Sequence, residues 1–232
     1  MSAKRLAKNK ISIDEISQVA SVSTTISCEE LNDRLSHKGW TMGYYPALQS
    51  KVSLLTCLNE NRPNLLWRRY GALEDICLNL GVKGIKKRDY LTKRVSRAAT
   101  GPDFKRLFLG NGGKLGKIEQ ATLRIHSMPQ KKMWGGFYWT KENPMKVFEN
   151  KICGVMGSLA FLKSYPKTKL PVILQKGTKT FMLLYFEGMR TVVETHYYHM
   201  LHVAESLGAH CLSRKEVSEL GLSLQQIMSR EK

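Results

Sequence analysis

The feature that most constrains the fold is the stretch from residue 100 to residue 129, which places five glycines between a short amphipathic segment and an alternating one. Asp103 is positioned to cap a short helix. Phe104, Leu107 and Phe108 would then lie on one side of that helix. After the glycines, apolar and polar residues alternate through positions 121–126, which predicts a half-buried strand.

The loop between these two elements has almost no side-chain cover. Its glycines are Gly110, Gly112, Gly113 and Gly116. A backbone this bare allows another surface to approach closely. The alternative is a turn into the strand that requires positive φ angles, and glycine content alone favours neither.

Charge and composition indicate a globular chain with an anionic neighbour. The 232 residues are 42% hydrophobic, enough for an ordinary core, and the formal net charge is +18. An excess this large favours nucleic acid or an anionic membrane surface as a partner. A solvated basic surface without a partner is the alternative.

The cysteines and the hydropathy pattern favour an intracellular location. The five cysteines are widely spaced and contain no CxxC pair, which is typical of reduced thiols. No apolar run approaches the length of a membrane span, and no secretory signal opens the chain. We therefore expect a protein of the mitochondrial matrix or the cytoplasm with no transmembrane segment, and not a secreted one.

Three segments are predicted: a basic N-terminal arm (1–17), a first domain (18–129) and a second domain (130–232). In the first domain we expect a strand at 18–25, a helix opened by a Ser27–Glu30 capping box, and strands at 76–85 and 90–95. The basic arm would target an organelle, lie on phosphates or be frayed.

The second domain reads as an antiparallel sheet with helices on one face, in a ferredoxin-like order, so the fold class is α+β. Its predicted strands are 134–140, 170–175 and 181–187, and its predicted helices are 144–155, 189–207 and 215–230. Three histidines recur every third residue in the second helix, at His196, His199 and His202. Zinc sites more often use an i, i+4 pair, so we predict ordinary helix positions and no metal site.

Three motifs resemble the FAD-linked oxidases of the vanillyl-alcohol oxidase type, in particular the alkylglycerone-phosphate synthase branch. The family runs from GPD or GYD through a helix into GSEGTLG and then ITEATL. Here the matching runs are GPD at 101–103, GNGGKLG at 110–116 and IEQATL at 118–123. RYGALED at 69–75 and GWTMGYYP at 39–46 also fit.

The resemblance implies the second half of a PCMH-type FAD-binding domain, followed by part of an antiparallel-sheet cap domain over the substrate. It also implies FAD as cofactor. The residues that would contact FAD are Gly110, Asn111, Gly112, Gly113, Lys114, Leu115, Gly116, Ile118, Ser50 and Lys51. The catalytic positions of the family fall outside this sequence, so no catalytic residue is assigned.

The chain departs from the family pattern at a run that usually reads TVGG. The corresponding residues are Lys51-Val52-Ser53-Leu54, so side chains replace the paired glycines. The family also has an upstream pyrophosphate loop that is not matched here. The first hypothesis is therefore a flavin oxidoreductase, or half of one, whose missing N-terminal half comes from a second chain and which is incomplete or inactive alone.

Two further hypotheses remain open. In one, the fold has lost its flavin and serves as a basic RNA-binding subunit of a large ribonucleoprotein such as an organellar ribosome. The residues that would contact RNA are Lys86, Lys87, Arg88, Lys93, Arg94, Arg97, Lys114 and Lys117. In the other, the chain is a degenerate fragment without activity of its own.

Overall fold

The structure is a computed structural model that describes residues 11–46, 52–84, 89–95, 102–140, 145–152, 159–166, 180–212 and 217. The chain forms two compact units, divided between Met128 and Pro129. Helices accompany antiparallel strands in both units, which confirms the predicted α+β class.

An antiparallel sheet of five strands is the frame of the first unit. The strands of this unit are β1 (Ile11–Asp14), β2 (Val19–Ser23), β3 (Trp40–Thr41), β4 (Cys77–Gly84), β5 (Asp89–Leu91), β6 (Gly116–Arg124) and β7 (His126–Ser127). The sheet order is β1-β2-β6-β4-β5, and β3 pairs separately with β7.

The strand predicted after the glycine loop is present as β6. Ala121 and Leu123 are buried and Arg124 is exposed, as alternation predicts. Thr122 is also buried, and its hydroxyl lies 3.1 Å from the Ser21 hydroxyl on β2. This cross-strand hydrogen bond lets a polar residue occupy a covered position.

The predicted basic arm is shorter than expected. Ile11–Asp14 form edge strand β1 and pair with β2 in antiparallel register. Ile11 lies opposite Val22, and Ile13 lies opposite Ala20. The alternating isoleucines therefore match the apolar pattern of the neighbouring strand. The sequence prediction had assigned these residues to the basic arm because of the positive charges that precede them.

Five helices accompany the sheet in the part of this unit that the structure describes. They are α1 (Cys28–Ser36), α2 (Leu54–Glu60), α3 (Trp67–Tyr70), α4 (Leu73–Ile76) and α5 (Lys105–Phe108). The predicted cap of α1 is confirmed, because the Glu30 N–H donates to Ser27 Oγ at 3.1 Å. Gly39 follows the helix with φ +76°, and its N–H donates to the Ser36 carbonyl.

Helix α2 was not predicted, and it explains the departure from the family's glycine pair. Ser53 caps this helix, since its Oγ accepts from the Thr56 N–H at 3.1 Å. Leu54 is fully buried at the first helical position. The two side chains that replace glycines thus begin a helix and fill the core.

In the described residues, the second unit contains a four-stranded antiparallel sheet and two helices. In chain order its elements are β8 (Lys131–Trp139), α6 (Met145–Ile152), β9 (Leu159–Pro166), β10 (Thr180–Gly188), α7 (Arg190–Ser206) and β11 (His210–Leu212). The sheet order is β11-β8-β10-β9. A βαββαβ chain with strand order 4-1-3-2 is ferredoxin-like.

The core of the second unit lies between the helices and one sheet face. Buried residues of β10 alternate toward it, and residues of α7 cover them. The central members are Met182, Leu184, Phe186, Val193, Tyr197 and Met200. Strand β9 was missed, whereas the predicted strand 170–175 and, Val217 apart, the predicted helix 215–230 lie outside the described residues.

Candidate cofactor site

The glycine loop connects α5 to β6 and has left-handed backbone geometry at three of its four residues from 110 to 113. Gly110, Gly112 and Gly113 have φ angles of +74°, +68° and +78°. Side chains with a Cβ rarely adopt such values, so this path requires glycine. A Cβ built on Gly112 would meet no atom within 4 Å, so this glycine faces open space.

The loop is held by its own hydrogen bonds. The Gly110 N–H donates to the Leu58 carbonyl at 3.0 Å, and the Gly112 N–H donates to the Asn59 carbonyl at 2.9 Å. Both acceptors belong to α2, so the unpredicted helix supports the loop. The Gly113 N–H donates to Asn111 Oδ1 at 2.7 Å. These three N–H groups are therefore engaged within the chain.

Gly116 is required for packing within the sheet. A Cβ on this residue would lie 2.7 Å from the Lys83 carbonyl oxygen and 2.9 Å from Val82 Cγ1. Strand β4 is thus the surface that approaches Gly116. Of the two interpretations of the glycines, the turn with positive φ angles is confirmed, because all four loop glycines have them. At Gly116 the surface that approaches is the chain's own strand, whereas Gly112 faces open space.

Two exposed lysines flank the end of the loop. Lys114 lies in the loop and Lys117 on β6, and both are exposed. Lys117 lies directly opposite Lys83 on β4, which is also exposed. Like charges in opposed positions of a sheet are unfavourable, so the end of this sheet is a locally electropositive edge.

The predicted apolar side of α5 is wrong. Phe104 is 56% exposed and Leu107 is 53% exposed, whereas Lys105 is 1% exposed. Only Phe108 of the three predicted apolar residues is buried. The predicted role of Asp103 is confirmed in kind, because its carboxylate accepts from the Lys105 N–H at the start of the helix.

Lys105 is buried because its ammonium group satisfies two backbone carbonyls. Lys105 Nζ donates to the Glu74 carbonyl at 2.9 Å and to the Cys77 carbonyl at 2.7 Å. These carbonyls lie at the junction of α4 and β4. The lysine therefore ties α5, and with it the start of the glycine loop, to the sheet. Nothing in the sequence around Lys105 predicts that its side chain is buried and donates to backbone carbonyls.

A second buried polar residue organises the segment between α2 and α3. Asn64 Nδ2 donates to the carbonyls of Gly43 and Gly71 at 3.0 and 2.9 Å. Its Oδ1 accepts from the N–H groups of Tyr45 and Leu66, each at 3.1 Å. One side chain thus joins the two further motifs of the resemblance, 39–46 and 69–75. Asn64 itself belongs to neither motif.

Two cysteines that are far apart in sequence meet in the core. Cys28 Sγ and Cys57 Sγ lie 3.6 Å apart, and both residues are buried at the packed ends of α1 and α2. The hydrogen bond to Cys57 and burial raise the pKa of the Cys28 thiol. The four described cysteines, which also include Cys77 and Cys211, are free thiols.

The remaining predicted site residues are dispersed or fall outside the described part of the chain. Ser50, Lys51, Lys86, Lys87, Arg88 and Arg97 lie outside it. Lys93 and Arg94 are exposed, and Arg94 Nη2 lies 3.8 Å from Asp14 Oδ2 on β1. No group of three or more potential metal ligands occurs among the described residues.

The chain is similar in sequence to known FAD-linked and alkyldihydroxyacetonephosphate-synthase proteins. Alkyldihydroxyacetonephosphate synthase of Caenorhabditis elegans is 29% identical over 112 residues, which are 47% of this chain and 18% of that protein. An uncharacterised FAD-linked oxidoreductase of Escherichia coli strain K12 is 27% identical over 130 residues, 55% of this chain and 26% of its own length. No protein-family profile matches the chain.

Solved structures decide the fold. An alkyldihydroxyacetonephosphate synthase superposes with a TM-score of 0.76 at 19% identity, over 94% of this chain and 44% of its own. This chain has the fold of a VAO-type FAD-linked oxidase. The 4-ethylphenol oxidase from Gulosibacter chungangensis gives a TM-score of 0.66 at 12% identity, over 95% of this chain and 49% of that one.

The suspected resemblance to VAO-type oxidases and to alkylglycerone-phosphate synthase is therefore confirmed. The chain spans less than half the length of the relatives that it matches. None of the proteins named here is described as binding RNA, so the comparisons give the ribonucleoprotein hypothesis no support. Among the described residues, no helix is both long and apolar enough to cross a membrane.

Proposed function

We propose that this chain contributes the glycine-loop half of an FAD site in an oxidoreductase similar to alkylglycerone-phosphate synthase. The observation that carries the proposal is the open, left-handed backbone at Gly112 within a loop fixed by α2. FAD, when bound, supplies the redox chemistry. The residues of this chain bind and orient the cofactor.

The hydrogen bonds within the loop limit how it could contact FAD. The N–H groups of Gly110, Gly112 and Gly113 already have acceptors within the chain, so they are not available to phosphate oxygens. The loop therefore offers uncovered backbone for close contact at Gly112. Charge for the phosphates would come from Lys114 and Lys117, which are exposed beside it.

Backbone amides that bind the pyrophosphate of FAD would therefore have to lie outside this loop. In this proposal a further polypeptide segment, on a second chain or in the same protein, supplies those amides. The chain alone would bind FAD weakly and would be inactive until that segment is present.

Titration with FAD tests the role of the loop, with flavin fluorescence as the readout. We expect the purified chain to change the fluorescence of added FAD, and Gly112→Val to weaken that binding by about tenfold or more by blocking close approach. Gly39→Val is the matched control, since Gly39 has φ +76° and also faces open space. Its affinity for FAD should equal that of the wild type.

Equal affinity of the Gly112→Val protein and the wild type would contradict the proposal. So would an absence of any fluorescence change at saturating FAD. If the purified protein carries nucleic acid that a high-salt wash removes, the RNA-binding hypothesis would be favoured instead.

A further inference from the structure

A histidine and an arginine lie on the same side of the chain where β6 passes into β7. Arg124 ends β6 and His126 begins β7, with the fully buried Ile125 between them. In extended backbone, residues i and i+2 point to the same side. His126 is fixed in this position because it pairs with Thr41 on β3.

An aromatic ring brings a second arginine to the same histidine. The rings of Tyr70 and His126 have centroids 4.9 Å apart, and the Arg69 guanidinium carbon lies 5.3 Å from the Tyr70 ring centroid. The Tyr70 ring packs directly against Gly43, where an added Cβ would lie 2.4 Å from the ring. Tyr70 is therefore in contact with His126, and Arg69 lies over its ring.

The histidine at the centre of this cluster has an unsatisfied nitrogen. His126 Nε2 is buried and has no hydrogen-bond partner among the described residues. Burial, together with the positive charges of Arg124 and Arg69, lowers the pKa of His126 to about 4. The imidazole is therefore neutral near pH 7, and the charged groups that act on it are both cations.

We propose that His126, Arg69 and Arg124 form an oxyanion site that takes a phosphate or carboxylate group. A bound oxyanion would accept a hydrogen bond from Nε2 and would be attracted by the two positive charges that act on His126. Guanidinium groups suit this role because their planar array of donors matches both anions. The site uses none of the loop residues of the proposed flavin contact, so the two proposals stand or fall separately.

Anion binding at this site is linked to a proton. A negative charge beside His126 favours the imidazolium form and so raises the pKa of His126 from about 4. The complex then takes up a proton that the free protein does not hold. Affinity therefore increases as the pH falls below the pKa of His126 in the complex.

Sulfate is the suitable first probe, because its charge does not change across this pH range. We expect sulfate to bind about tenfold more tightly near pH 5 than near pH 8, which corresponds to an increase of about two units in the pKa of His126, from about 4 to about 6. Calorimetry gives the affinity. The Cε1 proton resonance of His126 gives its pKa with and without sulfate.

Matched variants locate the site. His126→Gln keeps a polar side chain that cannot titrate, so the pH dependence should disappear. Arg124→Met should weaken binding at both pH values. Arg34→Met is the control, because Arg34 pairs with Glu30 on α1, and it should bind as the wild type does. Phenyl phosphate and benzoate then distinguish the two anion classes by their relative affinities.

Binding of sulfate that is independent of pH in the wild type would overturn the proposal. Equal affinities of the wild type, His126→Gln and Arg124→Met proteins would also overturn it. If a variant fails to fold, the resonance of His126 in the wild type decides alone, and an unchanged pKa on addition of sulfate refutes the site.

Discussion

Both units of this chain have an apolar core, but the first unit adds buried polar bridges to it. In the first unit, buried polar side chains bridge backbone segments that are distant in sequence, as Asn64 and Lys105 do. In the second unit, a continuous apolar core lies between α7 and one face of the sheet. A polar bridge depends on particular donors and acceptors, whereas an apolar core depends mainly on volume and pattern.

The comparison predicts that shape-conserving substitutions will damage the first unit far more than the second. Four expected outcomes test it, in order of decreasing effect. Each uses chemical denaturation of the full chain, with the free energy of unfolding as the measured quantity.

Asn64→Leu should have the largest effect. Leucine has a similar size but can make none of the four hydrogen bonds of Asn64, and two buried carbonyls and two N–H groups lose their partner. We expect a loss of about 3–5 kcal/mol. Asn32→Leu is the control, because Asn32 donates one long bond of 3.4 Å to the Tyr44 carbonyl, and it should lose less than about 1 kcal/mol.

Lys105→Met should have the next largest effect. Methionine keeps the unbranched aliphatic stem, but the Glu74 and Cys77 carbonyls lose their donor. We expect a loss of about 2–3 kcal/mol. Lys117→Met, at an exposed position, should change the stability by less than about 0.5 kcal/mol. Similar effects of the two substitutions would show that the buried ammonium group is not a structural bridge.

Phe186→Leu should be tolerated. Phe186 is fully buried and meets the Tyr197 ring edge-on, with centroids 5.9 Å apart. The leucine keeps an apolar group of similar bulk and loses the aromatic pair, so we expect a loss of about 1–1.5 kcal/mol. A loss as large as that of Asn64→Leu would remove the contrast between the units.

The pH dependence of stability should show the smallest effect. The pKa of His126 is about 4 in the folded chain and 6.5 in the reference state, so the unfolded chain binds more protons between these values. The free energy of unfolding therefore decreases as the pH falls from 6.5 toward 4. After allowance for solvent screening at this partly exposed residue we expect a loss of about 1 kcal/mol.

His126→Gln provides the comparison for this pH effect. Glutamine does not titrate, so the variant should lose less stability than the wild type over the same interval. An identical decline in both proteins would assign the effect to other groups.

The sequence predicted elements whose pattern is set by local periodicity. Strand β6 follows from alternation, strand β10 from a short apolar run and helix α7 from a long helical segment. The serine at position 27 marks the start of α1. The resemblance in the glycine loop predicted the fold of the whole chain. These features depend on residues that are close together in the chain, so a single sequence is enough to predict them.

The sequence did not predict features that depend on contacts between distant segments. Helix α2 was missed because its residues stand where the family has glycines. The apolar side of α5 was assigned by composition, yet the carbonyls of α4 and β4 draw Lys105 inward. The cluster at His126 forms from three separate segments and has no local signature. In each case the partner lies beyond the range of periodicity.

The hydrogen bonds of the glycine loop have a thermodynamic consequence. Because α2 already restrains Gly110 and Gly112, a ligand that settles on the loop would not have to order it. Such preorganisation reduces the conformational entropy lost on association. Affinity at this surface should then depend mainly on contact area and desolvation, and the amides of Gly110 and Gly112 should exchange slowly with solvent whether or not a ligand is present.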